Sequence, residues 1–138
     1  MIKILVPTVA AAIAATTVSA HAATPQLDAL FAESEIRRAA NLGWENRDEV
    51  IQLHADGTFT GVFEKYRQTS GDLTFRYSGS ISGRWTVRNG QLCLEGQGLE
   101  HKGANCYAVS KGKFAANEYT GRDVRTGDVW EMHVHNRS

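Results

Sequence analysis

Leu73-Thr74-Phe75-Arg76-Tyr77-Ser78-Gly79-Ser80-Ile81-Ser82-Gly83-Arg84-Trp85-Thr86-Val87 alternates without a break. Its odd positions carry every large apolar side chain and both glycines, and its even positions are all Thr, Ser or Arg. Successive side chains of a strand point to opposite faces, so this period of two marks a sheet with one apolar and one polar face. A single straight strand of that length would span ~50 Å at about 3.3 Å per residue, too long for a small domain. A turn or kink is therefore expected near Ser78-Gly79-Ser80.

The next two residues after Arg88, Asn89-Gly90, are the strongest hairpin signal in the chain. A two-residue turn there pairs Arg88 with Gln91, Val87 with Leu92, Thr86 with Cys93 and Trp85 with Leu94. Trp85, Val87, Leu92 and Leu94 then share the inner face, and Cys93 falls outside. In Cys106-Tyr107-Ala108-Val109, Tyr107 and Val109 take the inner positions, so Cys106 is again outside. The two cysteines thus agree in facing. If the chain resides in an oxidising compartment, an even pair most simply forms one disulfide, Cys93–Cys106, worth about 3 kcal/mol in the chain-entropy account. Their wide spacing lacks the close pairing of a zinc knuckle.

Upstream, Asp56-Gly57 marks a second hairpin. A three-residue loop with Gly57 left-handed and a bulge puts Leu53 and Phe59 on one side, whereas a two-residue turn would separate them. Downstream, strands are expected around Phe114 to Tyr119 and from Val129 to His135. About eight short strands with short connections make an antiparallel meander, closed or nearly closed into a barrel, with a small sandwich as the alternative.

The N-terminal part reads differently. Lys3, an alanine-rich apolar run from Ile4 to Val18, and Ser19-Ala20-His21-Ala22 form a secretory signal with a small-x-small processing site. The run is shorter than the roughly 20 residues of a membrane span. Residues 1–22 are thus expected to be removed, which directs the protein to the periplasm or outside the cell. Thr24-Pro25 then looks like a helix start, with acids early (Asp28, Glu33, Glu35) and Arg37-Arg38 late, to suit the helix dipole. Asn41 and Gly43 are stop signals. Residues 23–43 are accordingly expected to be a helical arm and 44–138 the barrel domain.

Gly83-Arg84-Trp85-Thr86-Val87, Asn89-Gly90, Leu92-Cys93 and Cys106-Tyr107 resemble a group of small exported proteobacterial proteins with the pattern G-x-W-x-V-x-x-G-x-x-C followed by C-Y. That group has no agreed activity. The resemblance implies a secreted lipocalin-like domain and carries over no catalytic residue. The arm-then-barrel layout is also similar to that of lipocalins, although Leu42-Gly43-Trp44 lacks the spacer of their first-strand G-x-W.

Charge excludes one function class. Lys3 is the only charged residue among the first 22, so the rest holds 14 Lys plus Arg against 15 Asp plus Glu. The basic residues are scattered, without the excess or stripe of a nucleic-acid binder. No segment after the signal is suited to spanning a membrane. Among residues that carry chemistry, Glu131, His133 and His135 alternate on one strand face and are the candidate metal ligands. Because Trp130, Met132 and Val134 fill the opposite, inner face, the simpler reading of the histidine face is solvation. There is no G-x-S-x-G nucleophile motif, and Ser78, Ser80 and Ser82 lie opposite the core. Glu118 has two possible facings: inward with Phe114, or outward with Tyr119 inside.

Phe59, Phe63, Phe75, Tyr77, Trp85, Tyr107 and Trp130 fall on the predicted inner face. They either fill a core or line a pocket, for which Gly61, Gly83, Ala108 and Ala116 would leave room. Tyr77, Trp85, Tyr107 and Trp130 are the candidate ligand-binding residues. The function expected is non-catalytic binding of a small apolar molecule in the barrel, or of a protein partner at its loops, with no cofactor. Two rivals are an inhibitor of a secreted hydrolase, which needs a detached N-terminal arm, and a metal-dependent enzyme built on His133 and His135.

Overall fold

The computed structural model describes residues 23–69 and 72–137; the expected signal segment, 1–22, lies outside the described residues. Helix α1 (Ala23–Phe31) leads into eight strands: β1 (Ser34–Asn41), β2 (Asn46–Leu53), β3 (Thr58–Thr69), β4 (Asp72–Arg88), β5 (Gln91–Gln97), β6 (Ala104–Lys111), β7 (Glu118–Asp123) and β8 (Val129–Asn136). Each pairs antiparallel with its neighbour in sequence, and β8 returns to β1, so the meander closes into a barrel. Closure removes the open sheet edges that would otherwise need protection.

Both hairpins form as their turn residues dictate. Asn89 and Gly90 are left-handed (φ 53° and 75°), and the register pairs Arg88 with Gln91 through to Trp85 with Leu94. Gly57 is left-handed (φ 90°), and Leu53 pairs with Phe59. The Asp56 carboxylate accepts hydrogen bonds from the Thr58 amide (2.9 Å) and hydroxyl (2.7 Å), which fixes that loop. Cys93 and Cys106 are direct cross-strand partners and are joined by a disulfide on the outer side of β5 and β6.

The N-terminal arm differs from the expectation. The helix stops at Phe31, Glu33 adopts a left-handed conformation (φ 52°), and residues 34–41 are strand, so the barrel begins at Ser34 and not at Trp44. Burial alternates along β1, with Ser34, Ile36, Arg38 and Ala40 inside. Arg38 is inside because β2 supplies a carboxylate opposite it, and that contact outweighs the local charge order that resembled a helix. The helix itself docks. Phe31 is wholly buried, and Leu27 and Leu30 pack against the core, so α1 plugs the end of the barrel that carries the Asp56-Gly57 and Asn89-Gly90 turns.

β4 is one continuous 17-residue strand with no turn at Ser78-Gly79-Ser80. Length is no obstacle, because only 82–88 pairs with β5, while 72–81 pairs with β3 alone and runs past the rim. Gly79 has another use. A Cβ there would lie 2.7 Å from the Phe63 ring, so the glycine is the seat on which Phe63 rests. Tyr77, one rung further out, is 53% exposed, and the inner position expected for it is corrected. Its ring lies over the rim, 5.8 Å from Phe63 and 5.4 Å from Lys65 Nζ. Phe75 has described backbone only.

The seventh strand starts at Glu118, later than expected, and Phe114 is 91% exposed in the connection before it. Glu118 pairs with outward His133, while Tyr119 packs against the core, which resolves the two facings.

The registers stack the interior into rungs. One joins Val134, Ile36, Ile51, Gly61 and Ile81, and is wholly apolar. Gly61 leaves no space: a Cβ there would meet the Val50 carbonyl at 2.3 Å and Ile81 at 3.2 Å. Ala108 and Ala116 are exposed and do not enlarge the interior. The rung above it joins Met132, Arg38, Glu49, Phe63 and Gly79, and is charged at its centre. The barrel thus has an apolar half closed by α1 and a polar half beneath the connections 42–45, 98–103 and 124–128.

Candidate functional site

The polar half is built around one carboxylate. Arg38 Nε donates to Glu49 Oε1 and Arg47 Nε to Glu49 Oε2, both at 2.6 Å. All three side chains are at most 4% exposed. Aromatic faces complete the surroundings: the Arg38 guanidinium lies 4.4 Å from the Tyr107 ring centre and 4.2 Å from that of Trp130, and Arg47 lies 4.1 Å from that of Phe63. Stacking on ring faces suits the planar, weakly hydrated guanidinium better than it would an ammonium. Tyr107 and Trp130 meet edge to face at 6.0 Å.

Charge stabilises charge here against burial. Burial alone would push Glu49 towards its neutral form, but Arg38 and Arg47 hold its pKa below the ordinary value. Burial likewise opposes the Arg38 cation, and Glu49 and Tyr107 more than offset it, raising its pKa. Burial raises the Tyr107 pKa, keeping the phenol protonated. Two of these buried donors, Arg38 Nη1 and Trp130 Nε1, have no hydrogen-bond partner among the described residues.

Above this layer lies the mouth. Arg47 Nη2 donates to the Gly98 carbonyl and so ties the 98–103 connection to β2. Asn105, 1% exposed, holds the same connection: its Oδ1 accepts from the His101 amide (3.0 Å), and its Nδ2 donates to the carbonyls of His101 (2.8 Å) and Gly103 (3.1 Å). Glu100 and His101 are thereby carried to the rim beside buried Asp123. An open pocket of about 310 Å³ is lined by Leu42, Trp44, Glu45, Arg47, Lys65, Leu99, Glu100 and Asp128. Trp44 stands on its edge, 65% exposed, with the Arg67 guanidinium 4.7 Å from its ring centre.

The candidate ligand residues separate. Trp85, Tyr107 and Trp130 are buried in the core, whereas Tyr77 stands outside on the rim. Trp85 belongs to the apolar half, where its Nε1 donates to the His54 carbonyl at 2.8 Å. Only Tyr107 and Trp130 reach the polar layer. Glu131, His133 and His135 do share the outer face of β8. They do not converge, however: the one set of three metal-ligating side chains whose ligand atoms lie within 4.8 Å of one another, among the described residues, is Glu100, His101 and Asp123. His135 instead approaches Asn117 Nδ2 at 3.4 Å.

Arg38, Arg47, Glu49, Glu100 and Asp123 are the functional candidates that strand periodicity passes over. Their trace is nevertheless in the sequence. Arg47 and Glu49 share parity with Ile51 and Leu53, so a charged pair occupies the inward positions of β2.

No protein-family model matches the chain, and no curated protein matches it. No helix among the described residues is long and apolar enough to cross a membrane.

Proposed function

We propose that this chain is an exported, non-catalytic binding protein of the periplasm or cell exterior that takes its ligand at the polar mouth of the barrel. It would belong with the small exported proteins that share its G-x-W-x-V-x-x-G-x-x-C and C-Y pattern. The observation that carries the reading is Trp44, a large ring left 65% exposed at the edge of the 310 Å³ pocket. An exposed aromatic beside a concave, partly charged surface is the usual anchor of a binding site. The ligand that fits is a small molecule with an apolar body to lie on Trp44 and polar groups to meet Lys65 and Glu100. The packed rungs beneath favour the mouth over the barrel centre as the place for it. The inhibitor alternative draws no support from α1, which is docked and not detached.

The test is native mass spectrometry of the protein isolated from its own periplasm, as wild type and as Trp44→Ala. The expected result is a small-molecule adduct on the wild type that is lost from the variant. A copurified protein in its place would move the site to a loop-mediated partner, and a bare chain in both samples would overturn the reading.

A further inference from the structure

The geometry points to a divalent metal site of the zinc class at Glu100, His101 and Asp123, in the wall of the mouth. His101 Nε2 lies 3.4 Å from Glu100 Oε1 and 3.3 Å from Asp123 Oδ2. Zinc bonds of about 2.0–2.1 Å in a tetrahedron hold neighbouring ligand atoms about 3.3–3.4 Å apart. Two edges of the ligand triangle therefore already have the length a zinc ion requires, and all three atoms lie within 4.8 Å of one another.

Three further features separate this cluster from a chance meeting of surface charges. The first is burial: the Asp123 side chain is 1% exposed, and those of Glu100 and His101 are 16% and 21% exposed. The second is an incompletely satisfied carboxylate: Glu100 Oε1 faces His101, and its other oxygen, Oε2, is buried without a hydrogen-bond partner among the described residues. A buried carboxylate in that state is costly, and a cation held by the group offsets that cost. The third is outer support of the kind metal ligands have. Asp123 Oδ1 accepts from the amides of Arg125 (2.8 Å) and Thr126 (3.2 Å), which aims Oδ2 at His101. Asn105 fixes the backbone of His101 from both sides.

Three protein ligands, one nitrogen and two carboxylate oxygens, leave a fourth position for water or a ligand group. Glu100 also lines the mouth pocket, so the metal has a route in from solvent. Burial, helped by Asp123 and Asp128, raises the Glu100 pKa and keeps its proton on more readily, whereas His101 and Arg47 act the other way. Metal binding would draw that carboxyl into its ionised form. The site shares Glu100 with the mouth pocket, but it rests on the geometry of its three ligand atoms and not on the small-molecule reading.

Calorimetric titration of chelator-treated, dialysed protein with Zn²⁺ tests it, with Ca²⁺ as the contrasting ion. Saturable binding of one Zn²⁺ per chain is expected, with a raised melting temperature. His101→Ala and Glu100→Gln should each weaken it at least tenfold. The paired change His133→Ala/His135→Ala should leave it as in the wild type. Far-UV circular dichroism checks that each variant is folded, and Glu100→Gln alone decides the matter if His101→Ala is not. Absence of Zn²⁺ binding, equal binding by folded Glu100→Gln, or loss of binding on changing His133 and His135 would each overturn the assignment.

Discussion

Arg38 and Glu49 are direct cross-strand partners whose side chains, at 1% and 0% exposure, meet at 2.6 Å inside the barrel. A buried pair of this kind gains little over well-packed apolar residues, but removing one member strands the other. Glu49→Ala leaves two buried guanidinium groups without their carboxylate and should cost about 3–5 kcal/mol in chemical denaturation. Arg37→Ala, next to Arg38 but 63% exposed at its side chain, should stay within about 0.5 kcal/mol. Equal effects would mean that Arg38 does not face inward.

Acid should act on two carboxyl groups in opposite senses. Glu49 has a lowered pKa when folded, so its contribution is complete above its ordinary value of 4.5 and is lost as the pH falls below it. Glu100 has a raised pKa when folded, so it favours the native state below 4.5 and that advantage fades as the pH rises. In metal-free protein, Glu100→Gln should therefore raise the melting temperature at pH 7 and have less effect at pH 4. Melting curves across that range check the sign, and a Glu100→Gln gain that grows on acidification would refute it.

Trp85 and Arg84 are neighbours on β4 with opposite facings. Trp85→Ala removes a buried ring and should cost about 3–5 kcal/mol, against about 0.5 kcal/mol or less for Arg84→Ala. Tyr77→Ala should resemble the second, since Tyr77 is outside the interior despite sharing the parity of Trp85. Urea midpoints for the three variants are sufficient to separate them.

The disulfide closes a loop between β5 and β6 and sits away from the core cluster. Alkylation without reductant should modify neither Cys93 nor Cys106. The double change to serine should lower stability by about 3 kcal/mol while the far-UV spectrum persists. Labelling of the native, unreduced protein would count against the bond.

The parts of this fold that were legible are those governed by neighbours in sequence. Asn89-Gly90 and Asp56-Gly57 carry their own backbone requirements, and once those turns form, the facing of Trp85, Leu94, Leu53 and Phe59 follows. β1 was not legible, because Arg38 is inward only by virtue of Glu49, eleven residues away on another strand. Seen alone, Glu33, Glu35, Arg37 and Arg38 have the charge order of a helix. The facing of Glu131, His133 and His135 was right, but parity says nothing about convergence. The cluster that does converge draws Glu100 and His101 from a connection without periodicity and Asp123 from the end of β7.

The seam between β1 and β8 sets a condition on how the molecule comes into being. Ser34 pairs with Asn136, so the first strand waits for the last, and nearly the whole barrel must be gathered before the ring is complete. Contacts between such distant positions slow folding, because the loop between them is closed before they repay it. Until the ring closes, the edge of β1 that faces β8 is unpaired, with Arg38 held by β2 alone. The apolar end capped by α1 and the local hairpins can assemble early. The charged rung and the mouth above it receive Met132 and Trp130 only when β8 arrives, which makes the polar end the last part of the protein to mature.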